Sequence, residues 1–563
     1  MKFQRNELLL QVSDLLFRFD EDQEPVLKNI SFEIHENEAI LVLGSSGSGK
    51  STLAYCLNNL YPSSVDGIQS GNILFQGRDV SSFQPGELNQ RIGLVMQDPD
   101  AQFCMLTVEE ELAFVLENMQ TPRSEMEARI HSALEYVDMI AFKHRMIHSL
   151  SGGQKQKLAI ACALAMEPEV LILDEPTANL DPASGLELVR TLKELRREHS
   201  FSILIIEHNL DYWLEMVERC LILNSEGELI FDGPTRVCFT EHARLLAQEG
   251  IWLPRAVEAG LKLLEADLLN TSSLPLTIEE IIQSSCRLTD TIKFLKQDRI
   301  SEKTDSPVMI YELNKISYTK NHQALLKEIS LSVKAGEFLA IAGSNGSGKT
   351  TLSRCLAGLL PLSAGEIKFY GDELEQWREE EKWARLGYVF QNPEHQFVAD
   401  SVLDEINYSL EASIHGTQAF EINDILKTLR MTDQLHNHPF SLSQGQKRRL
   451  SVAVMLINGQ KVLIMDEPTF GQDALTAKEI MEFTVNSVPE SGSIIMITHD
   501  MDLIDRYADK VMVLGEGRML FCDSPSKLWD APEILAESRL KLPFLREMEK
   551  MAQLCSEGLY AVK

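Results

Sequence analysis

One octapeptide pattern, written twice, restricts what this chain can fold into more than anything else in it. Gly44-Ser45-Ser46-Gly47-Ser48-Gly49-Lys50-Ser51 follows the apolar run Ala39 to Leu43, and Gly343-Ser344-Asn345-Gly346-Ser347-Gly348-Lys349-Thr350 follows Phe338 to Ala342. Each precedes a helix-like stretch, Thr52 to Leu60 and Thr351 to Leu359. Strand, glycine-rich loop and helix in that order form a phosphate cradle, the P-loop. Glycines let the chain double back so that successive N–H groups meet one anion, and the helix N-terminus adds its positive dipole end. The lysines supply countercharge, and the Ser51 and Thr350 hydroxyls suit Mg²⁺. At ordinary glycine usage (~7%) one such pattern arises by accident in roughly 2% of chains this long. Two, each in the right context, leave accident no weight.

The repetition extends well beyond the loops. Lys50 and Lys349 stand 299 residues apart, Gln97 and Gln391 294, Glu175 and Glu467 292, and His208 and His499 291. The slow drift implies small deletions in the second copy, so the 563 residues hold one module twice. Within a copy, apolar runs such as Val170 to Leu173 and Phe201 to Ile206 alternate with helical patterns, matched by Val462 to Met465 and Ile494 to Ile497. That alternation predicts an α/β fold with a mostly parallel sheet and helices on its faces. The stretches Gln97 to Leu150 and Gln391 to Leu442 read as helical side subdomains. Four segments are expected: a first module over 6–247, a helical extension and linker over 248–306, a second module over 307–535, and a helical tail over 536–563. The polar run Ser301 to Ser306 reads as the linker.

Composition excludes some functions. A net charge of −31 argues against general affinity for nucleic acid or anionic membrane surfaces. The nine cysteines are scattered without a C-x-x-C pair, as expected of reduced cytosolic thiols rather than disulfides or a metal cluster. No apolar run reaches membrane-spanning length and the first residues do not resemble a secretory signal, so work at a membrane would be that of a bound subunit.

Three further motifs recur at matching places. Asp174-Glu175 and Asp466-Glu467 end apolar strands, where chemistry gathers in parallel sheets. There the aspartate suits Mg²⁺ and the glutamate suits a general base or water-positioning group. His208 and His499 end a second strand about thirty residues on, placed to meet a γ-phosphate or attacking water. Leu150-Ser151-Gly152-Gly153-Gln154 and Leu442-Ser443-Gln444-Gly445-Gln446 open helices, with the serine as N-cap or phosphate donor.

Taken together, the P-loop, lone glutamine, Leu-Ser-Gly-Gly-Gln signature, Asp-Glu pair, Asn179-Leu-Asp181 turn and histidine resemble ATP-binding-cassette ATPases over nearly the whole chain. The resemblance implies ATP and Mg²⁺ as ligands. It assigns Ser51, Asp174 and Gln97, and Thr350, Asp466 and Gln391, to the metal, with Glu175, Glu467, His208 and His499 acting in hydrolysis. Phe19 and Tyr318 correspond to the aromatic that stacks on adenine, or else are strand core residues. Asp181 and Asp473 correspond to residues that signal between sites. In this family two modules pair head to tail. Lys50, Glu175 and His208 would thus share one nucleotide with Ser443 and Gly445, and Lys349, Glu467 and His499 the other with Ser151 and Gly153. Gln444 and the Phe470-Gly-Gln-Asp473 turn depart from the pattern, so unequal rates at two competent sites are expected.

Gln97-Asp-Pro-Asp-Ala-Gln-Phe103 and Gln391-Asn-Pro-Glu-His-Gln-Phe397 are similar to energy-coupling-factor import ATPases, in the fused form of vitamin-precursor uptake and more distantly cobalt uptake. The implied partners are a transmembrane coupling subunit and a small membrane substrate-capture subunit, with no nucleic acid, and the implied place is the cytoplasmic face of the membrane. Asp98, Asp100, Glu109, Glu110, Glu394, Asp400, Asp404 and Glu405 would suit basic coupling helices, or form a solvated face. The helical tails would stabilise the paired halves. A tandem-cassette translation factor is the rival, but Thr240 to Ser306 carries eight Lys/Arg against eleven Asp/Glu, poor chemistry for ribosomal RNA. A DNA-repair cassette lacks its zinc cysteines here, and a tandem sugar-importer ATPase typically has a degraded second P-loop. The cargo leaves no trace, because the ATPase does not touch it.

Overall fold

The computed structural model describes residues 7–84, 86–178, 180–297, 307–411, 426, 431–456, 459–489 and 491–557. Asn179, the linker Ser301–Ser306 and much of the second helical subdomain lie outside the described residues. The chain divides into two compact units, one of residues 1–264 and 271–277, the other of 265–270 and 278–563.

The first unit holds two sheets. Its six-stranded sheet runs in the order Leu229–Pro234, Arg219–Leu223, Ala39–Leu43, Ser202–Ile206, Val170–Asp174, Ile92–Val95. All neighbours are parallel except the antiparallel edge pair Leu229–Pro234 and Arg219–Leu223. Ala39–Leu43, Val170–Asp174 and Ser202–Ile206 are buried throughout, as strands covered on both faces must be. Alternation then divides the core. Ile40, Val42, Ile172 and Ile206 face one apolar cluster, while Ala39, Leu41, Leu43, Leu171 and Leu173 face the other with helices Gly152–Ala165 and Pro182–His199.

The first cluster is closed by a second, antiparallel sheet, which the alternation of strand and helix patterns does not foretell. Its order is Leu27–His35, Leu8–Arg18, Ile68–Phe75, Arg78–Asp79. A register shift between Val12 and Leu15, with Asp14 at φ 51, breaks the period of two along Leu8–Arg18 and hides the strand from pattern reading.

The second unit repeats this arrangement. Its six-stranded order is Leu386–Val389, Val462–Asp466, Ser493–Ile497, Phe338–Gly343, Lys510–Gly515, Arg518–Asp523, again parallel up to one antiparallel edge strand. The antiparallel sheet recurs as Gln323–Lys334, Met309–Lys320, Ala364–Phe369, Asp372–Glu373, with the same bulge between Leu313 and Ile316. Helices Ile278–Ser284 and Leu288–Lys296, which precede the second module in sequence, belong to this unit and pack on its last helix, Phe544–Ser556. Lys296 pairs there with Glu549. Among the described residues no helix is long and apolar enough to cross a membrane.

Candidate functional site

In both units the glycine-rich loop joins the central strand of the six-stranded sheet to the helix Lys50–Leu57 or Lys349–Leu356. These helices start two residues earlier than the sequence pattern suggests, because Gly49 and Gly348 end the loops in the left-handed conformation at φ 91 and 105. A Cβ on Gly49 would lie 2.8 Å from the Leu27 side chain, and one on Gly348 2.9 Å from the Leu325 carbonyl. Both positions require glycine on two counts. The helices also stop early, where Asn59 (φ 57) and Gly358 (φ 68) turn left-handed.

The loop lysines are buried and bonded to their own loops. Lys50 Nζ donates to the Gly44 and Ser45 carbonyls at 2.8 and 2.9 Å, and Lys349 Nζ to those of Gly343 and Ser344 at 2.8 and 3.0 Å. Neither helix has a side-chain N-cap, so first-turn N–H groups face the loop without one. The Ser48 and Ser347 hydroxyls are buried without a hydrogen-bond partner among the described residues. A cation, N–H groups and a buried hydroxyl lacking an acceptor form a donor set that fits phosphate oxygens.

Asp174 and Asp466 close their strands beside these loops. Both Asp174 oxygens, and Oδ1 of Asp466, are buried without a full hydrogen-bond partner among the described residues. Burial pushes each carboxyl up to about 6, against the opposing pull of the Ser51 hydroxyl on Asp174 and of Thr350 on Asp466. A buried carboxylate with spare lone pairs beside a hydroxyl fits Mg²⁺, which takes one or two protein ligands and completes its shell with phosphates and water. Among the described residues no group of three or more His, Cys, Asp or Glu could hold a metal by itself.

Glu175 and Glu467 both sit at φ 49, a strained conformation for a non-glycine residue, held by their N–H bonds to Ile206 and Ile497. Glu175 Oε1 lies 3.1 Å from His208 Nε2, and Oε2 accepts from Gln97 Nε2 at 2.9 Å. Glu467 Oε1 lies 2.9 Å from His499 Nδ1. Burial works to raise the Glu175 carboxyl, but the His208 ring, Lys50 and the Gln97 amide hold it below its ordinary value. The Glu467 charge raises His499. Each unit therefore brings lysine, paired carboxylates and histidine to one end of its six-stranded sheet.

The remaining expected residues take these places. Ser151 and Ser443 cap the signature helices Gly152–Ala165 and Gln444–Leu456, each accepting from the glutamine N–H three residues on at 3.3 Å. Gly153 and Gly445 are buried, whereas Gln444 is exposed at the first helical position, so a side chain there meets no wall. Asp181 and Asp473 are N-caps of Pro182–His199 and Ala474–Ser487. Phe19 is 41% exposed just beyond its strand, and Tyr318 is half-buried within its own. Of the acidic residues expected to face a partner, Glu405 is a correction. It is 2% exposed and accepts the Val398 and Ala399 N–H groups, so it holds its own loop. Asp100 and Glu394 are paired with Lys155 and Lys447.

Two contributors went unread in the sequence. Glu207, directly before His208, is 4% exposed; it accepts from the Thr177 N–H at 2.9 Å and from the His208 N–H at 2.9 Å. The second copy has Thr498 at that place, so comparison of the copies loses the signal. Arg448 is buried beneath Gln391, donating to its carbonyl at 2.5 Å.

The description "ABC transporter" matches residues 27–178 and 326–470. The chain is 43% identical, over 542 residues and 96% of each chain, to the HMP/thiamine import ATP-binding protein YkoD of Bacillus subtilis. It is 33% identical to an ABC transporter ATP-binding protein of Streptococcus pneumoniae, over 95% of this chain and 94% of that one. The solved cbiO1 of Clostridium perfringens, part of the ABC transporter complex cbiONQ, is 33% identical over 43% of this chain and 94% of its own, with a TM-score of 0.38. With both units carrying the same loop, carboxylate pair and histidine, the chain belongs to the ABC transporter family as one of its ATP-hydrolysing, ATP-binding proteins.

Proposed function

We propose that this chain is the ATP-binding subunit of an energy-coupling-factor-type import complex, and that both of its nucleotide sites cut ATP. The observation that carries the two-site reading is the Glu–His pair, kept at 3.1 Å in one unit and 2.9 Å in the other. In the first site the loop and Lys50 bind the β- and γ-phosphates, and Glu175 orients the attacking water with His208. Held ionised by its neighbours, Glu175 accepts a hydrogen bond from that water in line with the γ-phosphorus. Lys349, Glu467 and His499 do the same in the second. Where bound, Mg²⁺ supplies neutralisation of the phosphate charge, held by Ser51, Asp174 and Gln97, or by Thr350, Asp466 and Gln391.

By resemblance each site is completed by the opposite signature, Ser443 and Gly445 for the first loop and Ser151 and Gly153 for the second. Phe19 and Tyr318 stack on adenine. Closure of the halves on ATP is then the stroke that a transmembrane coupling subunit uses, at the cytoplasmic face of the membrane, while a small membrane subunit captures the solute. Asp98, Glu110, Asp400 and Asp404, which are exposed, are the acids left to meet that partner. The name of the Bacillus subtilis relative makes a thiamine-precursor solute the first to test.

Turnover of single variants tests the two-site reading. Glu175→Gln and Glu467→Gln should each leave a measurable fraction of the parent ATPase rate, and the double variant should fall at least 100-fold. Loss of all turnover in one single variant, with the other intact, would leave one working site. Purification from native membranes should bring down a small hydrophobic subunit; its absence would remove the import reading.

A further inference from the structure

The two units differ in how the segment holding the lone glutamine is anchored. In each, a lysine of the signature helix pairs with an acid of that segment, Lys155 with Asp100 and Lys447 with Glu394, both at 2.6 Å. The next residue breaks the match. In the first unit it is Gln156, 0% exposed, with neither amide atom hydrogen-bonded among the described residues. In the second it is Arg448, 2% exposed, whose Nη1 donates to the Phe390 carbonyl and Nη2 to the Gln391 carbonyl, each at 2.5 Å. A further link follows the same division. Gln396 donates to the Ser451 carbonyl and accepts from its hydroxyl, both at 2.8 Å, tying the segment to the signature helix again. Its counterpart Gln102 turns back on its own segment, bonding Met96 and Leu94 at 2.9 and 3.0 Å.

A planar guanidinium offers two parallel donors at a fixed spacing, which suits two successive carbonyls as it suits a carboxylate. Burial lowers the Arg448 guanidinium to about 10, with Asp466 and Glu467 opposing, so it is a cation at neutral pH. Among the described residues of the first unit no such fork holds the main chain at Gln97, and its amide donates to Glu175 instead.

We propose that Arg448 is a positioning residue for hydrolysis at the second site, fixing the main chain of Phe390 and Gln391 to the signature helix and so setting where the Gln391 amide stands. The inference rests on the reading that both sites cut ATP. It makes the sites unequal in a definite way, since only the second depends on this fork.

The test uses the full-length chain. In a Glu175→Gln background, where the second site supplies the turnover, Arg448→Gln should lower kcat roughly tenfold, as loss of a residue that orients a metal ligand does. KM for ATP should move less than about twofold, and the Mg²⁺ concentration for half-maximal rate should rise. Arg448→Lys should recover little, because an ammonium cannot fork. The loss should exceed that in a Glu467→Gln background by about fivefold or more. Equal losses in the two backgrounds, full rescue by lysine or an unchanged Mg²⁺ requirement would overturn the proposal. Should Arg448→Gln not fold, Arg448→Lys carries the same comparison. If Glu175→Gln alone abolishes turnover, the two-site reading has failed. Arg448 is then judged by Mg²⁺-dependent ATP binding in the Glu175→Gln/Glu467→Gln double variant. A roughly tenfold higher Mg²⁺ requirement on adding Arg448→Gln would sustain the role, and an unchanged one would overturn it.

Discussion

Asp174 is a carboxylate kept where carboxylates are unstable. Its folded value of about 6 stands above the ordinary 3.8, so folding favours its protonated form. The sign follows: its effect on stability is neutral below the unfolded value and becomes destabilising as pH rises through about 6. Asp174→Asn should therefore stabilise the nucleotide-free chain at pH 8 by ~1–3 kcal/mol in urea melts while removing the first site's share of Mg²⁺-dependent turnover and leaving the second site's. An aspartate at a destabilising place in both units fits a group that serves a ligand rather than the fold. The same sign governs binding, because a cation competes with the proton on Asp174 and Asp466. Mg·ATP affinity should fall as pH drops below about 6, with proton release detectable by calorimetry in buffers of different ionisation enthalpy. A pH-independent affinity between 5 and 7 would contradict this. These aspartates, the loop lysines and both histidines were legible from their places at strand ends. Arg448 and Glu207 were not, because a buried charged residue within a helix or just past a strand reads like any other until its partners are known.

At the scale of elements, the two glycine-rich loops are set by what stands behind them. Gly49 abuts Leu27 and the preceding Val26, and Gly348 abuts Leu325 and Leu326; Leu27, Leu325 and Leu326 belong to the antiparallel sheet of the same unit. That sheet thus shapes the loop from the rear. Gly49→Ala imposes both a left-handed alanine and a 2.8 Å contact, so it should cost about 1–3 kcal/mol in stability and weaken ATP binding at the first site at least tenfold. Ligand-free melts and nucleotide titration would check it, and parent-like binding would show that the loop yields. The signature helices behave otherwise. Their serine caps contribute about 1 kcal/mol each as caps, so Ser151→Ala or Ser443→Ala should shift melting only slightly. Any larger loss in turnover than in stability separates phosphate contact from capping. Strand and helix types were readable from periodicity, while the antiparallel sheets were not, since the bulges at Asp14 and Lys315 shift the side chains out of phase.

Across the whole molecule, the tail of the first module is shared. Residues 271–277 pack with the first unit, and 265–270 and 278–297 with the second, where Ile278–Ser284 and Leu288–Lys296 lie on Phe544–Ser556. A cut placed within 298–306 therefore leaves the first fragment carrying helices that belong to the second unit. The two fragments should stay together on size exclusion after such a cut, and ATPase activity should persist. Loss of Phe544–Ser556 should let the cut fragments part and lower activity at micromolar protein, as the effective concentration of one half around the other is lost. Separation of the fragments with Phe544–Ser556 present would show that these helices add no tether.

By itself the sequence determined that two P-loop modules stand in one chain, and which lysines, carboxylates and histidines gather beside their glycine-rich loops. Those residues lie within a few positions of glycines, apolar runs and helix starts, so local order was enough to place them. Only the tertiary structure decided that Glu405 serves its own loop, that a second sheet backs each cradle, and that Arg448 grips Gln391 where Gln156 grips nothing among the described residues. Each of these depends on a hydrogen bond or contact between distant stretches, and burial alone turns such a contact into a constraint on the site.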